Sequence, residues 1–285
     1  MIKFEEILKK IEYLPPLPVV VSKALSKLND PKATPDDLAE IIKFDQAVTA
    51  NVLRLCNSSY FGLRRTITDI NEALIYIGLV RFREILVLSG TGQYFEQKVS
   101  GYELNKGELW SYSLSSAVIA DEICNIIERE DNGSVFLAAL LHDIGKVVLS
   151  EFVTETWDEI RSKVEGEGYT FIEAEKEVIG YDHAELGARI LKLWGFSDEI
   201  INAVKKHHEP AQKNDSFIED IVRISDNLSM MMGYTTSIDG LAYHGYEDIC
   251  RKYNIHQETL DRIMGISVEK IKKIETEYGI SREVA

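Results

Sequence analysis

Apolar residues recur at helical spacing along almost the whole chain, and runs that alternate apolar and polar residues between turn signals are hard to find. Leu38, Ile41 and Ile42 form one stripe. Val48, Val52 and Leu55 form a second, and Ile190, Leu191 and Trp194 a third. Residues three and four apart share a helix face, so each stripe marks the side of a helix turned toward a core. Proline, the strongest helix breaker, occurs only six times, and three of the six sit together at positions 15, 16 and 18. Punctuation frames the stripes. Thr34-Pro35-Asp36-Asp37 supplies a hydroxyl cap, a proline for the first turn and acids for the positive helix end. Asp182 and Glu185 have the spacing of a capping box. Gly78, Gly145 and Gly195 read as stops. These features predict an all-α chain with no sheet beyond a short hairpin.

Two polar stretches, 96–107 and 209–216, read as connectors. They divide the chain into an N-terminal helical lobe over 1–105, a second helical lobe over 106–230 and a C-terminal helical extension over 231–285. No internal repeat or low-complexity tract is present.

The charge balance narrows the partners. With 47 acidic against 32 basic residues the net charge is −15, which repels phosphate backbones and argues against non-specific nucleic-acid binding. A locally basic site remains open. Cys56, Cys124 and Cys250 are few, far apart and without C-x-x-C spacing, which points to a reducing cytoplasm and away from a disulfide framework or zinc knuckle. The opening Met1–Glu6 carries two acids where a secretory leader would be apolar. The apolar run Val135–Leu141 is far too short to span a bilayer, and no membrane segment is expected.

The sharpest local signal is Leu140-Leu141-His142-Asp143-Ile144-Gly145-Lys146, an apolar helix ending in a His-Asp pair. By itself such a pair more often means a buried hydrogen bond and a solvated acid. Here it has company. His183 opens a helix 41 residues on, His207-His208 closes another 24 residues later, and Asp226 interrupts the apolar run Ile221–Ser225. Taken singly, His207-His208 is a cationic helix end and Asp226 an exposed acid. Taken together, four of the six histidines fall into the order H-D, H, H-H, D on successive helices. His244 and His256 read as surface residues. Neutral imidazoles with carboxylates suit borderline metals such as iron, zinc or manganese.

That order resembles the HD phosphohydrolase superfamily, whose members hold metals in a helical bundle and attack phosphate esters with a bound water. Lys146 completes an H-D-x-G-K arrangement in which the superfamily often has a phosphate-facing lysine; the plain alternative is a solvated charge at a helix end. The resemblance also implies a further histidine about thirty residues before the His-Asp pair. That place holds Tyr112, and a neutral tyrosine is a poor ligand. Glu108, one turn earlier, is either a substitute ligand or a surface acid.

The N-terminal lobe selects the branch. Leu14-Pro15-Pro16-Leu17-Pro18, Asn29-Asp30-Pro31, Leu38–Ile42, Asp45-Gln46, Leu53–Gly62 and Ile70–Leu74 through Gly78 are similar to the HDOD (HD-related output domain) family over roughly residues 10–210. The Gly-Tyr-Pro that marks the related cyclic di-GMP phosphodiesterases is missing after His207-His208, where Glu209-Pro210-Ala211 follows. The resemblance implies a bacterial signalling or regulatory module with a signalling protein partner. It also implies a degenerate metal site of His142, Asp143, His183, His207, His208 and Asp226 that holds one ion, with no catalytic residue assigned. The competing implication is a metal-dependent phosphohydrolase, and a third is a scaffold with an empty site.

Overall fold

The computed structural model describes the chain apart from residues 1–6, 8, 12, 13, 64, 132, 235–245 and 279–285. Met1–Glu6 and His244 therefore lie outside the described residues. Among those described the chain is all-α. Its fourteen helices are α1 (Val19–Leu28), α2 (Pro35–Ile42), α3 (Gln46–Cys56), α4 (Ile70–Phe95), α5 (Glu108–Ile126), α6 (Ser134–Leu141), α7 (Ile144–Glu155), α8 (Trp157–Gly166), α9 (Phe171–Ile179), α10 (His183–Leu193), α11 (Asp198–Lys206), α12 (Phe217–Met231), α13 (Tyr246–Lys252) and α14 (Gln257–Tyr278). A single 3-10 turn (Ser100–Tyr102) and one isolated bridge, Val99 to Leu104, are all that the 96–107 connector adds. No described helix is long and apolar enough to cross a membrane.

The helices form two compact units. One comprises Met1–Pro15 with Tyr94–Val268, the other Pro16–Gln93 with Glu269–Ala285. These lines differ from the sequence division at 105 and 230. The reason is continuity of helix: α4 and α14 each run through a unit boundary without a connector to mark it. The residues read as a C-terminal extension are shared between the two units.

In the smaller unit the local signals are realised closely. Thr34 and Asp37 form a reciprocal capping box at the start of α2, with Pro35 in its first turn. The Asp45 carboxylate accepts the Val48 amide at 3.0 Å and caps α3. Asn57 ends α3 and pins the following loop: its side chain donates to the Leu53 and Ile67 carbonyls and accepts the Ile67 amide. Of the two stripes expected here, Leu38, Ile42, Val48, Val52 and Leu55 are buried and Ile41 is half-buried.

The larger unit carries the His-Asp helices. All eight residues of α6 are buried, as an all-round apolar helix must be. The three glycines read as stops divide. Gly195 is one, at φ +77, with the Phe196 amide reaching back to the Leu191 carbonyl at 3.0 Å. Gly78 is another: at φ +78 and ψ 165 its backbone is non-helical, so one helical segment ends there and a second begins within the span of α4. Gly145 is no stop. It lies in the first turn of α7, where an added Cβ would sit 1.9 Å from the His183 carbonyl oxygen and 2.7 Å from the Gly187 amide nitrogen. Gly145 is required by close approach of two backbones.

The two kinds of glycine should respond differently to substitution. Gly195→Ala meets nothing within 4 Å and places a side chain only at an unfavourable φ, so a loss of about 1 kcal/mol is expected in urea unfolding. Gly145→Ala forces backbone apart and should cost about 3 kcal/mol or more, or prevent folding. Equal losses at the two positions would contradict the close-approach reading.

Candidate metal centre

Two helix ends, two helix starts and one position inside a helix supply the cluster. His142 follows the last residue of α6, and its Nδ1 donates to the Ala139 carbonyl at 2.7 Å. His207 follows α11 in the same way, with Nδ1 donating to the Val204 carbonyl at 2.6 Å. Helix ends leave carbonyls without intrahelical partners, and in both places the imidazole takes one three residues back. His183 is the first residue of α10, capped by Asp182, which accepts the Glu185 amide at 2.7 Å. The Glu185 side chain turns instead to Lys176, so only half of the expected capping box forms. Asp143 precedes α7, and Asp226 lies within α12.

These side chains converge. Donor atoms of Asp143, His183, His207 and His208 lie within 4.8 Å of one another, as do those of His142, His207 and Asp226. His142 Nε2 is 3.1 Å from Asp226 Oδ1 and 3.5 Å from Asp143 Oδ2. His183 Nε2 is 3.4 Å, and His207 Nε2 3.7 Å, from Asp143 Oδ1. His208 Nε2 is 3.0 Å from His183 Nε2. His142, Asp143 and His183 have no exposed surface at all. His256 is exposed and stands apart.

Glu175 on α9 is a functional residue that the sequence reading missed. Fully buried, its carboxylate accepts the His183 backbone N–H at 3.0 Å, His183 Nδ1–H at 2.7 Å and the Tyr102 hydroxyl. Its neighbours Glu173, Lys176 and Glu177 are charged, so the local pattern reads as a solvated face. The one available signal is position: Glu175 falls with Phe171, Ala174 and Ile179 on the apolar side of α9.

Three imidazoles thus donate Nδ1–H to an oxygen acceptor. In their neutral forms each turns an Nε2 lone pair into the cluster. Nε2 of His142 and His207, Oδ1 of Asp143 and Oδ2 of Asp226 are buried and form no hydrogen bond. Four buried acceptors left over in one place are what a cation would satisfy, and nitrogen with carboxylate oxygen suits a borderline divalent ion. The donor set therefore fits a metal.

Two features set this cluster apart. Tyr112 on α5 donates its hydroxyl to Asp226 Oδ1 and packs its ring edge-on against His142, with centroids 5.5 Å apart. One turn on, Ser115 and Ser229 make a second buried polar rung between α5 and α12. Lys146 is buried rather than solvated, and its ammonium donates to Asp143 Oδ2 at 2.6 Å over the rings of Tyr102 and Tyr112. Glu108 is the surface acid of the two alternatives: it lies outside the cluster, and its carboxylate accepts the Asn105 amide and side chain at the start of α5.

Burial and charge oppose each other here. Burial alone would lower the His142 pKa, but Asp143 and Asp226 override it and raise it to about 9. Burial also opposes the charged form of His183, and Glu175 reverses this, so its pKa too is raised. His207 and His208 are lowered, first by burial and then by neighbouring imidazoles. Burial would raise Asp143, yet Lys146 and His142 hold it well below the usual carboxylate range.

A helical unit that gathers histidines and aspartates from helix ends in the order H-D, H, H-H, D defines an HD-like domain. The HDOD domain pattern matches residues 14–210, and the chain belongs to that family. An uncharacterised protein of Treponema pallidum is 24% identical over 209 residues, which is 70% of this chain; the chain spans 38% of the length of that relative. Two solved structures share the fold. A Shewanella amazonensis protein provisionally named a phosphohydrolase is 20% identical with a TM-score of 0.71, covering 96% of this chain and 98% of its own. A Marinobacter aquaeolei protein provisionally named a signal transduction protein is 18% identical with a TM-score of 0.69, covering 94% of this chain and 60% of its own.

The histidine pKa values predict a pH dependence for chelator-treated protein. His142 and His183 are raised on folding, so the stability they add is full below about 6.5 and declines as pH rises above it, for His142 through about 9. His207 and His208 are lowered and act oppositely, removing stability as pH falls below about 6.5. Melting temperature should therefore fall between pH 6.5 and 9, and His142→Gln should flatten that fall. A slope unchanged by the substitution would place the titration elsewhere.

Proposed function

We propose that this chain is a regulatory, non-catalytic HDOD module, working in the bacterial cytoplasm on a signalling partner, that holds one divalent ion at the His142 cluster. The observation that carries the reading is Tyr112. Its phenol occupies Asp226 at the corner where the HD resemblance implies a histidine, and its ring closes on His142. A buried lysine on Asp143 supplies a positive charge next to the ligands, which disfavours a second cation through like-charge repulsion. The ligand set His142, Asp143, His183, His207, His208 and Asp226 is sealed almost completely from solvent, leaving little room for a phosphate ester. A borderline ion such as iron, zinc or manganese would neutralise the carboxylates and tie the ends of α6 and α11 to α10 and α12. Glu175 is then a positioning residue that keeps His183 Nε2 aimed at the ion.

The alternative is a metal-dependent phosphohydrolase, with Lys146 facing phosphate. What favours it is that every other residue of the H-D, H, H-H, D order comes together in one place. Elemental analysis with a phosphatase and phosphodiesterase screen separates the two. The native chain should carry about one ion and turn over no cyclic di-GMP, nucleotide or simple phosphate ester. Turnover on the order of one per second that is abolished by His142→Ala would establish the hydrolase instead.

Two substitutions probe the ligand shell. Tyr112→His should raise metal content toward two ions. Glu175→Gln should weaken metal affinity about ten- to a hundredfold with the fold retained by circular dichroism. Unchanged content in the first and unchanged affinity in the second would remove both residues from the site.

A further inference from the structure

Beside the sealed cluster lies a cleft of about 400 Å³ between the ends of α9, α10 and α11. Its charged lining comprises Glu173, Asp182, Glu185 and Glu209 with Lys176 and Lys205. His208 also lines it. Among Asp143, His183, His207 and His208, only His208 is not fully buried, and only His208 faces both cleft and cluster. Its Nε2 lies 3.0 Å from His183 Nε2, so one imidazole of the ligand set stands between the cleft and the others.

We infer that this cleft is the inlet through which a hydrated divalent cation reaches the cluster, passed inward by His208, and that the same lining turns phosphate esters away. The inference rests on the metal reading proposed above. Four carboxylates against two ammonium groups give the lining a formal surplus of two negative charges. Lys176 is already committed to Glu185 at 2.7 Å, with Asp182 at 3.8 Å, which leaves it less able to receive an anion. A cleft lined by one sign of charge concentrates ions of the other sign and speeds their arrival. A phosphate ester meets the opposite field. Cation delivery and phosphate exclusion follow from one arrangement, and together they match a site that is loaded but does not hydrolyse.

Cobalt(II) uptake by chelator-treated full-length protein, followed by stopped-flow through its visible absorption, tests this. Glu209→Lys and Lys205→Gln change exposed cleft residues outside the ligand set. Glu258→Lys changes net charge equally on α14, outside the cleft lining. At low ionic strength Glu209→Lys should slow uptake roughly three- to tenfold. Lys205→Gln should speed it by a smaller factor, and Glu258→Lys should leave it near wild type. The differences should collapse at about 0.5 M salt. Inorganic phosphate should not compete with uptake. Rates that are the same in all four proteins, or that track net charge alone, would overturn the inlet while leaving the metal site standing. A wild-type chain that takes up no cobalt would overturn the metal reading itself, and the inlet with it.

Discussion

A β-carbon on Gly145 would lie 1.9 Å from the His183 carbonyl oxygen, and one on Gly187 would press on Val204 and Ile144. The first turns of α7 and α10 meet backbone to backbone because these two positions carry no side chain. That meeting places Asp143 beside His183, with His183 Nε2 3.4 Å from Asp143 Oδ1. The glycine of the H-D-x-G-K sequence thus acts through packing. Its neighbours His142, Asp143 and Lys146 depend on it for the surroundings that give them their chemistry.

Around that contact, backbone groups at helix ends do much of the orienting. His142 and His207 each take up a carbonyl that their helix leaves without a partner, and His183 shares its buried carboxylate with its own backbone amide. The same bonds that finish the helices fix the tautomers of the rings. Lengthening either α6 or α11 by one turn would therefore remove a ligand as well as a cap. Tyr112 and Lys146 complete the set in a different sense: each satisfies one carboxylate oxygen from within the protein, Asp226 Oδ1 and Asp143 Oδ2, and leaves the other facing the cluster.

What could be read from the chain follows the range of the interactions concerned. His142, Asp143, His183, His207, His208 and Asp226 were legible because polar residues interrupting apolar helices, in a fixed order, leave a local mark. The all-helical fold was legible for the same reason, since its stripes and caps are short-range. Glu175 and Tyr102 were not. One lies among charged neighbours and the other in a polar connector, and only tertiary contact buries them against His183. Gly145 looked like punctuation because a stop and a close approach call for the same residue. Lys146 offered no local hint of burial, since its partner Asp143 was itself expected at a metal. Two of the three unit boundaries, after Gln93 and after Val268, escaped detection because they fall inside helices.

Those boundaries have a consequence for dissecting the molecule. The chain passes from one unit to the other three times, after Pro15, after Gln93 and after Val268. A single cut at any of these points yields two pieces, and neither piece corresponds to a unit: cutting after Gln93 leaves residues 1–15 attached to the wrong partner. The family match over 14–210 likewise takes in parts of both. The two units are interleaved along the chain, so no single cut separates one from the other.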